Sequence, residues 1–402
     1  MESLFKHQVK QLVRRHHELL NRPNTPDRRW YNGLFERWTY PVVTADHVPL
    51  TWRYDFSETR NPHLIERIGV NAAFNAGAIE NADGSISVCV RVEGVDRKSF
   101  FAIADSPNGV DQFRFREKPV VFDRVGDETN LYDMRLTRHE DGWIYGLFCA
   151  ESHDPQAKPG DTISAVADCG IVRTRDLDTW ERLPNLKHPN AQQRNVALHP
   201  KFVNGKYMLY TRPMEFFIDA GTEGHTGWGL SDSMNPCVVG KQEVLDERIY
   251  HTIKEAKMGS GAAPFETSGG WMHIAHGVRN TAAGLRYVLY CMLCDKDNPG
   301  KVIHRPGGYI LAPFEEERVG DVSNVLFSNG VVAKADGSVF IYYASSDTRL
   351  HVATTTVEKL LDYAQNTPED LYHAHGSVQQ RCDLVDANRP FLSQFGLDQK
   401  GF

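Results

Sequence analysis

The clearest pattern along the chain is a turn pair followed by an apolar run, and it recurs five times. Asp83–Gly84 leads into SISVCVRVEG, Asp141–Gly142 into WIYGLFCAES, Asn204–Gly205 into KYMLYTRP, Gly269–Gly270 into WMHIAHGV, and Asp336–Gly337 into SVFIYYASSD. These residue pairs accept the positive φ that tight hairpins need. Their second glycines lie 58, 63, 65 and 67 residues apart. A period of that length marks a repeat architecture rather than a sandwich, whose turns recur every ~8–12 residues. Five units, each long enough for four strands and their loops, predict an all-β fold: a five-bladed β-propeller with pockets around its central axis. Helical periodicity is confined to the two ends. SLFKHQVKQLVRRHHELLNRP sets Leu4, Phe5, Val9, Leu12, Val13, Leu19 and Leu20 at helical spacing, and Asn21–Arg22–Pro23 ends it. A second helix is expected from Thr356 to Asp370. The predicted organisation is an N-terminal helix and lead-in segment over 1–59, a catalytic propeller over 60–355, and a C-terminal helix and tail packing on the propeller over 356–402.

Composition narrows the function. Apolar residues make up 41% and charged residues 24% of the 402, as in ordinary globular proteins. A net charge of -7 argues against a nucleic-acid-binding surface. The N-terminal MESLFKHQVK has no continuous apolar core, so no secretory signal is read there, and no window is apolar enough for a membrane span. A cytoplasmic protein is expected. The first helix carries Lys6, Lys10, Arg14 and Arg15 on its other face; docking on its own domain or a sister subunit is favoured over a membrane. The seven cysteines are odd in number, and Cys89, Cys149 and Cys291 sit in strand-like apolar runs, which suits buried thiols. Cys291 and Cys294 form a CxxC, but no second ligand pair lies at zinc spacing, so no metal is expected.

Counting forward from each turn places Arg91, Arg212, His276 and Asp347 near the ends of equivalent strands, where side chains from separate blades would converge. Arg194, Asn195, Arg212 and His276 are donors suited to an oxyanion such as phosphate. A nucleotide is not expected, because no Gly-rich phosphate loop is present. Asp133, in NLYDMRLT, and Asp347 are the best candidate acids, with Glu93, Glu151 and Glu266 behind them. Glycoside hydrolysis needs two carboxylates. Phosphorolysis needs one, because phosphate is itself the nucleophile and a cationic pocket can hold it in line with the anomeric carbon. Asn75, Arg91, Glu93 and Asp347 could bind sugar hydroxyls. Tyr132, Trp143, Trp228, Trp271, Tyr342 and Tyr343 could cover ring faces, although most of them are assigned to the core.

RNPHLIERIGVNAAFNAGAI, RVEGVDRKSFFAIADS, NLYDMRLT, RNVALHPKFVNGKYMLYTRP, HIAHGV and DVSNVLFSNG…IYYASSD, in that order from about Arg60 to about Thr355, together resemble glycoside hydrolase family 130. The resemblance is nearest to its branch acting on mannosyl-glucose, and it implies a five-bladed propeller. By motif it implies Asp133 as sole general acid, Arg194, Asn195, Arg212 and His276 as phosphate-binding residues, and Asn75, Arg91 and Asp347 as sugar-binding residues. Some relatives carry lysine where this chain has Arg212. The implied reaction is reversible, inverting phosphorolysis of 4-O-β-D-mannopyranosyl-D-glucose, with no metal or organic cofactor and with phosphate as co-substrate. In the implied mechanism the acid protonates the mannose 3-hydroxyl, which relays its own proton to the leaving oxygen. Phosphorolysis of β-1,4-mannooligosaccharides, or hydrolysis of a β-mannoside with Glu151 or Glu266 as base, is the alternative on the same scaffold. The resemblance also implies a homo-oligomer assembled through the terminal helices.

Overall fold

A computed structural model describes residues 3–395. The chain is mostly β-structure, with helices at its two ends. The first helix spans Leu4–Leu20; the Ser3 hydroxyl accepts from the Lys6 amide at 3.3 Å, which caps its start. The second, Val357–Asn366, buries Leu360 and Ala364, and the Thr356 side chain caps it. A further helix, Ala374–Leu392, has no buried residue. It has no apolar stripe, which is why the sequence pattern missed it. The end of the predicted tail, 396–402, lies outside the described residues.

Between the helices, all five turn pairs connect antiparallel strands. The turn glycines adopt the expected backbone, with φ +82° at Gly84 and +87° at Gly142. Five groups of strands follow one another along the chain. The first is Val70–Glu80, Ile86–Gly94, Ser99–Ser106 and Arg114–Phe115. The second is Asn130–Arg138, Ile144–His153, Ala165–Thr174 and Glu181–Leu183. The third is built on Tyr207–Thr211 and Thr226–Ser231, and the fourth on Gly270–Thr281 and Gly284–Cys294. The fifth holds Leu326–Ala333, Ser338–Ser345 and Arg349–Thr356. A short strand from the lead-in segment, Glu36–Trp38, completes the fifth group by pairing with Arg349–Thr356.

The apolar layers lie between successive groups. Cys89 and Phe101 of the first pack on Met134, Leu136 and Phe148 of the second. Tyr145 and Ile171 of the second meet Leu198 and Leu209 of the third. Met208 and Tyr210 meet Trp271 and Met292 of the fourth. Met272 and Leu289 meet Leu326 and Ile341 of the fifth, with Leu360 of the C-terminal helix. Val88 and Val90 of the first then meet Tyr342 and Val352 of the fifth. The order of these layers is cyclic, and the first strands of the first, second and fifth groups, the inner strands, pack directly on one another.

The inner strands approach one another closely. A Cβ at Gly77 would lie 2.7 Å from the Met134 carbonyl oxygen, and one at Gly330 would lie 2.6 Å from that of Ala76. Cys291 and Cys294 sit three apart on one strand and so enter different apolar layers, Cys291 with Leu289 and Cys294 with Met292. The CxxC therefore cannot chelate.

Candidate active site

Three inner strands break register at one polar residue each. The shifts fall between Phe74 and Gly77, Tyr132 and Arg135, and Ser328 and Gly330. A bulge adds a residue and re-aims its side chain. Here it releases Asn75 and Asp133 from the strand alternation that would otherwise fix their facing. Asn75 has φ +40° and Asp133 +63°. Asn195, just before the strand Ala197–Leu198, has +58°, and Asp347, in the turn after Ser338–Ser345, has +50°.

These four side chains line one cavity of about 170 Å³ with Arg91, Tyr132, Arg194, Arg212, Lys257, Tyr287 and Phe327. Asp133 is 8% exposed. Its Oδ1 accepts from Asn75 Nδ2 at 2.9 Å and from Arg91 Nη1 at 3.1 Å. Its main-chain carbonyl accepts from Arg135 Nη1 at 3.1 Å and from Asn329 Nδ2 at 3.0 Å. Arg135 is fully buried and also donates to the carbonyls of Ser260 and Gly261. The acid is thus held by both its side chain and its backbone. Burial pushes the Asp347 carboxyl up to about 7 despite the attraction of Arg91.

The opposite wall is cationic. Arg194, Arg212 and Lys257 form no ion pair with a carboxylate among the described residues. Arg194 donates from Nη1 to the Phe217 carbonyl at 2.5 Å and from Nη2 to the Tyr132 hydroxyl at 3.1 Å. Lys257 donates to the Ile218 carbonyl at 2.8 Å. Burial, with Arg212 and Arg194 nearby, lowers the Lys257 ammonium to about 7. Burial also lowers Arg212 to about 10, with Arg194 adding to the effect. Desolvated positive charges without counter-ions are costly, so an anion placed in the cavity would be stabilised by this wall.

His276 does not line the cavity. It is fully buried behind Arg212, whose Nη1 lies 3.2 Å from His276 Nε2. Guanidinium only donates, so Nε2 accepts, and the neutral ring carries its proton on Nδ1. Burial and the charges of Arg212, Arg135 and Lys257 hold its pKa far below the usual range. Buried polar atoms around the site lack partners among the described residues: Asn75 Oδ1, Arg212 Nε and His276 Nδ1.

Glu93 is tied to Arg91 Nη2 at 2.9 Å and lines an outer cavity of about 700 Å³ that shares Arg91, Tyr132, Arg194 and Asp347 with the inner one. Glu151 lines that outer cavity as well, while its carboxylate accepts from the Tyr132 hydroxyl at 2.8 Å. Glu266 pairs with Lys201 and Lys296 beside a different depression, so it does not face Asp133. Of the aromatic candidates only Tyr132 reaches the inner cavity. Trp271, Tyr342 and Tyr343 are core, Trp228 packs against the core, and Trp143 lies under Arg173 and Arg175. Sequence reasoning missed Lys257, Tyr287, Arg135 and Asn329. Arg135 left a trace, a charged residue between apolar Met134 and Leu136; Asn329 in FSNG, Lys257 in KMGS and Tyr287 in LRYVLY left none. Among the described residues no group of three or more His, Cys, Asp or Glu is placed to hold a metal ion, and no helix is long and apolar enough to cross a membrane.

Comparison with known proteins points the same way. The family model described as beta-1,4-mannooligosaccharide phosphorylase matches residues 45–366. A 4-O-beta-D-mannosyl-D-glucose phosphorylase of Bacteroides fragilis is 57% identical over 387 residues, 96% of this chain and 98% of its own. A beta-1,4-mannooligosaccharide phosphorylase of Ruminococcus albus is 30% identical over 80% of this chain and 93% of its own. The solved structure of a beta-1,2-mannobiose phosphorylase from Listeria innocua, in complex with beta-1,2-mannobiose, superposes with a TM-score of 0.62 at 20% identity, covering 74% of this chain and 93% of that one.

Proposed function

The chain belongs to glycoside hydrolase family 130, and from that premise we infer that it phosphorolyses 4-O-β-D-mannopyranosyl-D-glucose. The products are α-D-mannose 1-phosphate and D-glucose, formed reversibly with inversion. The enzyme transfers a mannosyl group to phosphate. The observation that carries this reading is the wall of Arg194, Arg212 and Lys257, cations without carboxylate partners that share a cavity with Asp133. Water as nucleophile would need a second carboxylate poised as base. Of the two bases named for hydrolysis, Glu151 is engaged by Tyr132 and Glu266 faces elsewhere; Asp347, the other carboxyl of the cavity, is held protonated up to about pH 7 by burial and is read as a sugar ligand.

In this reading Asp133 is the sole general acid. It protonates the mannose 3-hydroxyl, which hands its proton to the leaving oxygen. Asn75, Arg91 and Asp347 bind the sugar around the scissile bond, with Glu93 behind Arg91. Arg194, Asn195 and Arg212, joined by Lys257, hold phosphate, and His276 acts from behind by orienting Arg212. Donors fixed before the charge arrives stabilise it without reorganisation. No cofactor beyond co-substrate phosphate takes part. The five strand groups are the blades of a five-bladed β-propeller spanning 60–355, a reading supported by the cyclic order of the apolar layers. Exposed Leu4 and Val13 on the first helix, and Val378 and Leu384 on the last, support self-association through the terminal helices. The six buried free thiols suit a cytoplasmic location.

The test is a product screen with phosphate on mannosylglucose, β-1,4-mannobiose and β-1,4-mannotriose. Mannosylglucose is expected to be consumed fastest, releasing the α-anomer of mannose 1-phosphate. Faster turnover of mannotriose would move the enzyme to the oligosaccharide branch.

A further inference from the structure

We propose that Glu151 is a positioning residue for the anion site, setting the Arg194 guanidinium through the Tyr132 hydroxyl. The inference rests on the phosphate reading of the inner cavity. Tyr132 and Glu151 lie on neighbouring antiparallel strands. Tyr132 is opposite Cys149, and Glu151 is two residues further on, so the two form a diagonal pair on one face.

A phenol has one proton. Tyr132 gives it to Glu151 Oε2 at 2.8 Å, which turns its lone pairs towards Arg194 Nη2 at 3.1 Å. Arg194 has a second anchor, the Phe217 carbonyl at 2.5 Å, and its guanidinium lies 4.5 Å from the Phe217 ring. Two anchors on a planar fork fix its plane and leave its remaining N–H groups for the ligand. The Tyr132 ring also lies 4.6 Å from the Arg91 guanidinium, which holds Asp133. One side chain thus separates the arginine of the acid from the arginine of the anion wall. Among the described residues Glu151 forms no hydrogen bond or ion pair with Asp133, Arg194, Arg212 or Lys257, so any effect it has by contact passes through Tyr132.

Coulomb attraction alone makes the opposite prediction, which makes the proposal testable. Removing a negative charge near Arg194 should tighten anion binding, whereas breaking the relay should weaken it. The experiment is calorimetric titration of the full chain with inorganic phosphate, comparing wild type, Glu151→Ala, Glu151→Gln, Tyr132→Phe and the double variant Tyr132→Phe/Glu151→Ala. Glu151→Ala and Tyr132→Phe are each expected to raise the phosphate Kd roughly tenfold, the scale of one charge-assisted hydrogen bond. Glu151→Gln keeps an acceptor for the phenol and should stay within about twofold of wild type, as a relay needs an acceptor rather than a charge. The double variant should be no weaker than Tyr132→Phe alone, because the two changes break one relay. If Tyr132→Phe does not fold, the contrast between Glu151→Ala and Glu151→Gln decides. Unchanged or tighter binding in Glu151→Ala, or full addition of the two losses, would overturn the relay while leaving the phosphate reading intact. A wild type that binds no phosphate would overturn both.

Discussion

Four cavity side chains, Asn75, Asp133, Asn195 and Asp347, have left-handed backbones, and all four are Asn or Asp. Those two types tolerate that conformation best after glycine, so their use lets each strand bend where a functional group is needed. This makes Asp133→Asn a clean chemical probe: it removes the acid and keeps the backbone preference. Turnover should fall by ~10²–10⁴-fold, the usual worth of a positioned acid, with the thermal midpoint near that of wild type. A fully active variant would remove Asp133 from the mechanism. Asp347 offers a second test. Its folded pKa, about 7, stands above the unfolded 3.8. The folded state therefore binds the extra proton between those values, and the stability contribution of Asp347 falls as pH rises through that window. Asp347→Asn should melt about 2 °C or more above wild type at pH 8, with the gap closing towards pH 4; a gap that grows on acidification would contradict the assignment. Catalysis should suffer in the same variant, since this carboxyl lines the cavity.

At the scale of elements, the inner strands matter most, because their backbones pack directly on one another. Gly330→Ala would put a methyl 2.6 Å from the Ala76 carbonyl oxygen. Overpacking of that kind costs about 1–3 kcal/mol, and a urea titration should find the midpoint lowered with an unchanged slope. A midpoint equal to that of wild type would mean that the strands can part without cost. The turns were legible in the sequence because a tight hairpin demands positive φ and few residue types supply it. The bulges were not, because a register shift is decided by the neighbouring strand. Asp133 could be singled out as an acid, but its left-handed backbone could not be read from NLYDMRLT. Glu36–Trp38 escaped because three residues carry no alternation, and its partner strand lies more than 300 residues away. The helix Val357–Asn366 was found because it has an apolar face, and Ala374–Leu392 was missed because it lacks one.

At the scale of the whole molecule, burial of neutral histidines links stability to pH. Burial lowers His199, His273 and His351 to about 3 each, and His47 to about 4. The unfolded chain binds their protons near pH 6.5. Their contribution is full above that pH and is lost as pH falls towards the folded values. Four such groups outweigh the opposite slope of Asp347, so the thermal midpoint should fall continuously from pH 6.5 to pH 4; a flat profile over that range would contradict the burial of these rings. The five turn-linked strand groups were legible from the spacing of five turns, and so was the convergence of Arg91, Arg212 and Asp347. The full cationic wall was not, because Lys257 joins it from an edge strand outside the turn pattern and His276 stands behind it. That wall is also the basis of the central claim, that phosphate and not water takes the mannosyl group. The most direct test is turnover of mannosylglucose against phosphate concentration, starting from phosphate-free buffer. The account predicts no turnover at zero phosphate, a saturable rise with added phosphate, and one mannose 1-phosphate per glucose. Equal release of free mannose and glucose without phosphate would contradict it.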